Sequence, residues 1–348
     1  MDKTALNQPV FFERNRVARV YRGGKLFHNF FGDAPVDENL PEEWVCSPVA
    51  ALNDGGKPTD GLSTVRGTDV FFRDLLTAYP DEMLGSRKSL GVLVKILDSA
   101  ERLPVQAHPD KAFAKKHFNS EFGKTEMWLV LATRPDANVY IGFERGIGKS
   151  EFLAAVDASQ TDKTAMEKLL HRQSVQAGDV YLIPAGMPHA IGAGCLILEV
   201  QEPTDFTVQP EAWCGSHRLS EYQKYLGLHP DTAVDCFDFS MTYDKALTIS
   251  KRTPKSICSE NNCNVESLIS YGDTPCFAVN RLTLSDCPGF TLPRKPAVFI
   301  VTEGRGAVTT TDKVVPLSTG DYFFLPHGAS DCTIFGSLTL IECLPPRL

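Results

Sequence analysis

The sequence predicts a mainly β protein made of two related β-barrels, with a few added helices. Most of the chain alternates apolar and polar residues in short runs, which Gly, Pro and Asp separate at about ten-residue spacing. Helical spacing is confined to a few segments. A stretch that begins at Gly178 also returns, in related form, at Gly320. Together these patterns favour antiparallel sheets closed into barrels or sandwiches.

The strands are predicted from period-two runs such as "NVYIGF", "DVYLIPA", "CLILEV", "CFAVNRLTL", "AVFIVTEG", "DYFFLPH" and "LTLIEC". Each run is short and ends at turn residues, as strands of a sandwich or barrel do. Helices are predicted in three segments, at residues 67–84, 109–120 and 148–172, where apolar residues follow helical spacing.

The internal repeat pairs "GDVYLIPAGMPHAI" with "GDYFFLPHGASDCTI", at an offset of 320 − 178 = 142 residues. In both copies a Gly-Asp turn precedes an apolar strand that ends in Pro, and another apolar strand follows. A chance likeness between short β segments is the alternative to a true repeat. The copies differ at the position of His189, which aligns with Asp331 in the second copy. A metal or catalytic site is therefore expected in the first barrel alone.

Composition narrows the class of protein. The 348 residues include 35 basic and 43 acidic side chains, and a net charge of −8 argues against a nucleic-acid backbone as the main partner. No apolar run reaches the roughly 18 residues of a membrane span, and "MDKTALNQPVFFERNR" lacks the apolar centre of a secretion signal. A cytoplasmic protein is the expectation. The ten cysteines form no C-x-x-C pair and are expected to be small buried hydrophobes.

Four side chains form a candidate metal site. Gln106 and His108 are two residues apart in a predicted strand and so share a face. Glu126 begins the strand in "GKTEMWLVLAT", and His189 lies in the corner "PAGMPHAI". Each residue alone has an ordinary structural explanation. Together, two imidazoles and two side-chain oxygens suit one catalytic divalent metal such as zinc, and Mn, Co or Fe would also fit.

At these residues the sequence resembles the type I mannose-6-phosphate isomerases of the cupin superfamily. The resemblance rests on "VKILDSAERLPVQAHPDKAFA", "GKTEMWLVL" and "LIPAGMPHAIGAGCLILEVQEPTD" and covers most of residues 15–210. It implies a pair of jelly-roll barrels, metal held by the four residues above, and interconversion of mannose 6-phosphate with fructose 6-phosphate. It also implies a metal-binding cupin domain at residues 1–265, with helical insertions near 109–120 and 148–172, and a C-terminal cupin domain without metal at 266–348.

The resemblance also points to catalytic residues. Lys124 falls where the family keeps a site lysine, and Gln209 stands where the family carries an active-site arginine. Glutamine can donate a hydrogen bond but supplies no fixed positive charge. Arg218 is a candidate to replace that charge. The candidate cations for a sugar phosphate are Lys95, Lys111, Lys115 and Arg218.

The expected reaction moves a proton between neighbouring carbons through an enediol, with a metal to stabilise the developing oxyanion and a nearby base to carry the proton. Two other classes stay open at this point. One is a sugar-phosphate-binding cupin that is non-catalytic or altered in specificity, which the missing arginine would suit. The other is a metal-dependent cupin dioxygenase, which would usually have a site richer in histidine. The sequence leaves the oligomeric state open.

Overall fold

The computed structural model describes residues 6–260, 262–310 and 313–347. These residues form strands at β1 Val10–Phe11, β2 Arg16–Val17, β3 Glu42–Val45, β4 Leu93–Ser99, β5 Glu126–Thr133, β6 Asn138–Phe143, β7 Leu170–Ser174, β8 Val180–Ile183, β9 His189–Ile191, β10 Cys195–Gln201, β11 Trp213–Cys214, β12 His217–Arg218, β13 Lys251–Arg252, β14 Lys255–Glu260, β15 Cys263–Ile269, β16 Ala278–Thr291, β17 Ala297–Thr309, β18 Val314–Ser318, β19 Tyr322–Leu325 and β20 Thr333–Leu344. The prediction of a mainly β protein is confirmed.

The helices are short and lie between strands. They are α1 Phe27–Phe31, α2 Phe72–Ala78, α3 Pro80–Leu84, α4 Lys111–Phe118, α5 Lys149–Ala158, α6 Glu221–Tyr225, α7 Pro230–Val234 and α8 Tyr243–Ser250, with a 3₁₀ turn at Glu167–Leu169. Among the described residues, none of these helices is long and apolar enough to cross a membrane.

The three predicted helical segments are found, with two corrections. Segment 67–84 is split in two because Pro80 has no backbone N–H to continue α2 and instead starts α3. In segment 109–120, the Asp110 side chain caps α4 by accepting a hydrogen bond from the Phe113 backbone N–H at 2.7 Å. Segment 148–172 ends as a helix at Ala158, and its last residues, 170–172, belong to strand β7.

Two large antiparallel sheets share one strand order except at one edge, where the first has β13 and the second has β1. The first runs β13-β8-β5-β10-β4-β3-β2, and the second runs β1-β19-β17-β20-β16-β15-β14, with β18 attached to β17. The predicted repeat strands, β8 and β19, occupy the same position in the two orders. The repeat seen in the sequence is therefore a repeat of the fold.

The Gly-Asp turns of the repeat have the same geometry. Gly178 has φ 91° and Gly320 has φ 89°, a left-handed backbone that glycine adopts without a Cβ clash. Asp179 accepts a hydrogen bond on its carboxylate from the backbone N–H three residues earlier, and Asp321 does the same. These turns set where β8 and β19 begin.

The first sheet has a different partner on each face. Val94 and Ile96 of β4 pack in a core shared with the second sheet, which includes Val298 and Ile300 of β17. Residues of the opposite face, such as Leu97, pack in a core shared with a three-stranded sheet of order β7-β6-β9. The second sheet curls around a further core of its own. The seven-stranded sheet and this three-stranded sheet form the first β unit. The predicted site residues converge on its inner side, between the two sheets.

The chain passes from one large sheet to the other between β13 and β14. We therefore propose that the metal-binding domain ends near residue 253, in place of the expected boundary at 265, which lies inside β15. Strand β1 belongs to the C-terminal sheet despite its position near the start of the chain.

The cysteines are all free thiols. All but the half-buried Cys258 are buried, as expected for small apolar side chains.

Candidate metal centre and active-site pocket

The four predicted ligands come from three neighbouring parts of the first β unit. Gln106 and His189 face each other in an antiparallel bridge, and each backbone N–H donates to the other residue's carbonyl at 2.9 Å. Directly opposed residues of such a pair project from the same face. His108 follows two residues after Gln106, and Glu126 starts β5. All four side chains are buried.

Three of these side chains form a compact cluster. The ligating atoms of His108, Glu126 and His189 all lie within 4.8 Å of one another, and this is the one such group among the residues that the structure describes. His108 Nε2 is 3.1 Å from Glu126 Oε2, and His189 Nε2 is 3.6 Å from Glu126 Oε1.

Backbone hydrogen bonds orient both imidazoles. His108 Nδ1 lies 3.0 Å from the carbonyl oxygen of Phe206, and His189 Nδ1 lies 2.8 Å from that of Met187. A carbonyl only accepts, so each Nδ1 carries the proton and donates it, which leaves Nε2 with a free lone pair. Burial lowers the pKa of His108, and Lys124 lowers it further. Burial and His108 lower the pKa of His189 to about 3. Both rings are neutral near pH 7 and able to ligate.

Glu126 is held at both carboxylate oxygens. Trp128 Nε1 donates to Oε1 at 2.9 Å, and Lys124 Nζ donates to Oε2 at 2.7 Å. Burial opposes ionisation of this carboxyl, but Lys124 and His108 together bring its pKa well below the usual range. The charged carboxylate therefore faces the two imidazoles.

The position of the Lys124 ammonium shows that this cluster accommodates a positive charge. Besides its bond to Glu126, Lys124 Nζ lies 2.8 Å from His108 Nε2. A buried positive charge thus already sits among these donor atoms. Two neutral imidazoles, a carboxylate and the nearby Gln106 carboxamide are a donor set that a divalent metal fits.

The pocket above the cluster has a charged wall. Lys95 Nζ lies 3.4 Å from Asp205, 3.6 Å from Glu199 and 3.9 Å from Glu42. Arg19 pairs with two of these three acids, Asp205 at 2.9 Å and Glu42 at 3.0 Å. Burial and the nearby Glu126 charge raise the pKa of Glu199 to about 7. Burial opposes ionisation of Asp205, yet Arg19 and Lys95 bring its pKa to about 2.

Two segments that are distant in sequence supply exposed residues to the pocket lining, and we take them to mark its opening. Leu52 and Asp54 are exposed in one segment, and Tyr222 of α6 is exposed in the other. Gln106, Lys124 and Glu126 line the inner part of the same pocket. The candidate site residues, the charged wall and the exposed lining therefore belong to one pocket.

The predicted catalytic residues are not all brought together. Lys124 and Gln209 both line the pocket. Gln209 donates its side-chain N–H to the backbone carbonyl of Gln223 at 3.1 Å, which holds the amide beside α6. Arg218 does not line the pocket. It lies exposed on β12, donates to Gln160 at 2.6 Å and stacks near Trp213, so it cannot replace the missing arginine from this position.

The lysines that were candidates to bind the substrate phosphate lie in different places. Lys95 lines the pocket and is bound to three acids, as described above. Lys111 and Lys115 are 55% exposed, pair with Glu202 and Glu121 respectively, and do not line it. In the C-terminal sheet, Asp331, which the repeat places opposite His189, is exposed and paired with Arg294.

Sequence reasoning missed most of the pocket wall. Arg19, Glu42, Glu199 and Asp205 were not predicted, and neither was the part played by Trp128. A signal was present, since Glu199 in "CLILEVQ" and Lys95 in "LVKILDS" are charged residues inside otherwise apolar strands. Buried charges in such strands need partners, which marks a functional pocket or a buried ion network.

Comparison with known proteins places these features in a family. A sequence model described as "Mannose-6-phosphate isomerase, cupin domain" matches residues 269–345. A mannose-6-phosphate isomerase of Streptococcus mutans is 28% identical, over 96% of this chain and 97% of that protein. One of Ogataea parapolymorpha is 32% identical, over 85% of this chain and 87% of that protein. The crystal structure of mannose 6-phosphate isomerase from Bacillus subtilis superposes with a TM-score of 0.75 and 24% identity, covering 97% of this chain and 99% of that one.

Proposed function

This chain belongs to the mannose-6-phosphate isomerase family, and from that premise we propose that it interconverts mannose 6-phosphate and fructose 6-phosphate through an enediol. The observation that carries the proposal is the shared pocket. A buried His-Glu-His group, a lysine bonded to that glutamate and an open path to solvent lie in one place.

The proposed metal ligands are Gln106, His108, Glu126 and His189. Zinc is the proposed ion, because two imidazoles with a carboxylate and an amide oxygen suit it, while Mn, Co and Fe accept the same donors. When bound there, the metal would supply positive charge that polarises the substrate carbonyl and stabilises the developing oxyanion.

Lys124 is the proposed proton carrier. Lys124 and Glu126 are two residues apart and project from the same face into the pocket. A substrate held beside the metal ligands therefore lies within reach of the amine. A divalent cation bound beside Lys124 would disfavour its ammonium form, so in the metal-loaded protein the lysine acts as a neutral amine. The amine removes the proton from C2 of the aldose and returns it to C1, and the Glu126 carboxylate stabilises the ammonium formed between these steps.

Gln209 is proposed to contact the sugar in place of the family arginine. A neutral amide donor near the developing negative charge stabilises it less than a guanidinium would. Arg218 has no part in this proposal, because it lies outside the pocket and is held by Gln160. The proposed substrate is a small sugar phosphate in the cytoplasm, and no nucleic acid or membrane partner is proposed.

The test is a coupled assay that follows mannose 6-phosphate turnover by metal-stripped and metal-reloaded protein. We expect no turnover after chelation and recovery on reloading with zinc. Saturable binding of mannose 6-phosphate without turnover would instead establish a non-catalytic binding protein. Oxygen uptake by an iron-loaded sample would indicate a dioxygenase.

A further inference from the structure

Two apolar side chains lie at the opening of the charged pocket. We propose that Leu52 and Tyr222 form an apolar gate that keeps bulk water away from the carbons that exchange the proton. The inference rests on the proposed isomerase reaction and adds to it two residues that control water access.

The first observation is where these side chains lie. Leu52 is 39% exposed and Tyr222 is 44% exposed, and both line the pocket. Large apolar side chains with this much exposure are few in the described part of the chain, and the others, such as Ile257 and Val314, lie elsewhere. When two exposed apolar side chains at the opening of a charged pocket cover a ligand, they bury apolar surface that otherwise faces water.

The second observation is that hydrogen bonds fix the two sides of the gate to each other and to the pocket wall. Ser220, two residues before Tyr222, donates its hydroxyl to Asp54 at 3.0 Å. The Leu52 backbone N–H donates to Asp205 at 2.9 Å, and Asp205 is part of the charged wall. The gate residues are therefore held at the opening by neighbours that leave their own side chains free to pack on a sugar.

The chemistry explains why water must be kept out. The amine takes the C2 proton, the electron pair of the C2–H bond forms the C1=C2 bond, and the C1 carbonyl oxygen takes the proton of the C2 hydroxyl. In the second half, the C1=C2 pair takes a proton from the ammonium at C1, and the C2 oxygen, already deprotonated, becomes the ketone. If water reaches the protonated amine between these halves, the substrate's own hydrogen is lost to solvent.

The experiment follows that hydrogen directly. Mannose 6-phosphate labelled with deuterium at C2 is converted in ordinary water by the metal-loaded enzyme, and deuterium at C1 of fructose 6-phosphate is measured at low conversion. For the wild type we expect measurable transfer, at most about one third, because a lysine ammonium carries three equivalent hydrogens. Tyr222→Ala and Leu52→Ala should lower this transfer by about threefold or more, since water then reaches the amine.

Two further variants show that the effect belongs to the gate. Tyr222→Phe keeps the ring and should keep the wild-type transfer. Ile257→Ala removes an apolar side chain that is 57% exposed on β14, outside the pocket, and should also leave the transfer unchanged. Metal content is measured for every variant, so that a change in the metal centre is seen separately.

The outcomes are distinct. Unchanged transfer in both alanine variants, or no transfer in an active wild type, would overturn the gate while the isomerase reaction stands. A wild type that does not turn over mannose 6-phosphate would overturn the proposed function and the gate with it.

Discussion

Replacing Lys124 by methionine tests the metal centre most directly. The change gives an unbranched side chain one atom shorter and removes the ammonium that lies 2.7 Å from Glu126 Oε2. At that distance and an effective dielectric constant of about 20, Coulomb's law gives an attraction of about 6 kcal/mol. Part of it is offset because the variant no longer buries an ammonium. In metal-free protein we therefore expect the free energy of unfolding to fall by about 3–5 kcal/mol, the usual cost of breaking a buried ion pair.

For a chain of 348 residues this loss corresponds to a fall in Tm of about 4–7 °C if the chain unfolds cooperatively. In metal-loaded protein the fall should be much smaller, because a bound dication compensates the Glu126 charge that the lysine leaves behind. Metal content should be retained. Turnover of mannose 6-phosphate should drop by at least about a hundredfold, the lower range for a general acid–base group.

The measurements are calorimetry with and without metal, metal analysis after dialysis, and the coupled assay. Lys168→Met is the matched control, because Lys168 is 64% exposed and pairs with Asp162 on the surface. It should change neither Tm nor turnover. An unchanged Tm for metal-free Lys124→Met would refute the ion pair as a stabilising contact, and normal metal with undiminished turnover would assign the proton to another carrier.

Three further predictions concern single side chains. His189→Ala should lower the metal retained after dialysis, whereas Asp331→Ala should retain the wild-type amount, and equal metal in all three proteins would exclude His189 as a ligand. Gln209→Arg should raise turnover by about ten- to hundredfold if it restores a charged donor worth about 1–3 kcal/mol; a folded, metal-loaded variant that is no faster would contradict this. Asp205 has its pKa lowered to about 2 by Arg19 and Lys95, against the cost of burial, so its contribution to stability is complete above about pH 4 and is lost as the pH falls toward 2. Urea unfolding of metal-free protein across this range should show that loss, and Asp205→Asn should flatten it; an equal pH slope in the variant would disprove the contribution.

The sequence by itself determined the cluster of His108, Glu126 and His189 and the repeat. Gln106 and His108 share a face because side chains in a strand alternate, and His189 lies opposite Gln106 because the two segments pair as antiparallel strands. The Gly-Asp turns predicted the matching strands β8 and β19. This was possible because a turn and the apolar strand after it depend on residues that are close together in the sequence.

Only the tertiary structure decided which residues form the pocket wall and its opening, and that Arg218 lies outside the pocket. Lys95 meets Asp205, and Arg19 joins them, only because strands and loops far apart in the chain are placed side by side. Arg218 and Gln209 are nine residues apart by number, 218 − 209, yet one lies outside the pocket and the other lines it. A charge is recognised from sequence, but its partner depends on sheet register and loop packing, which are set by contacts across the whole fold.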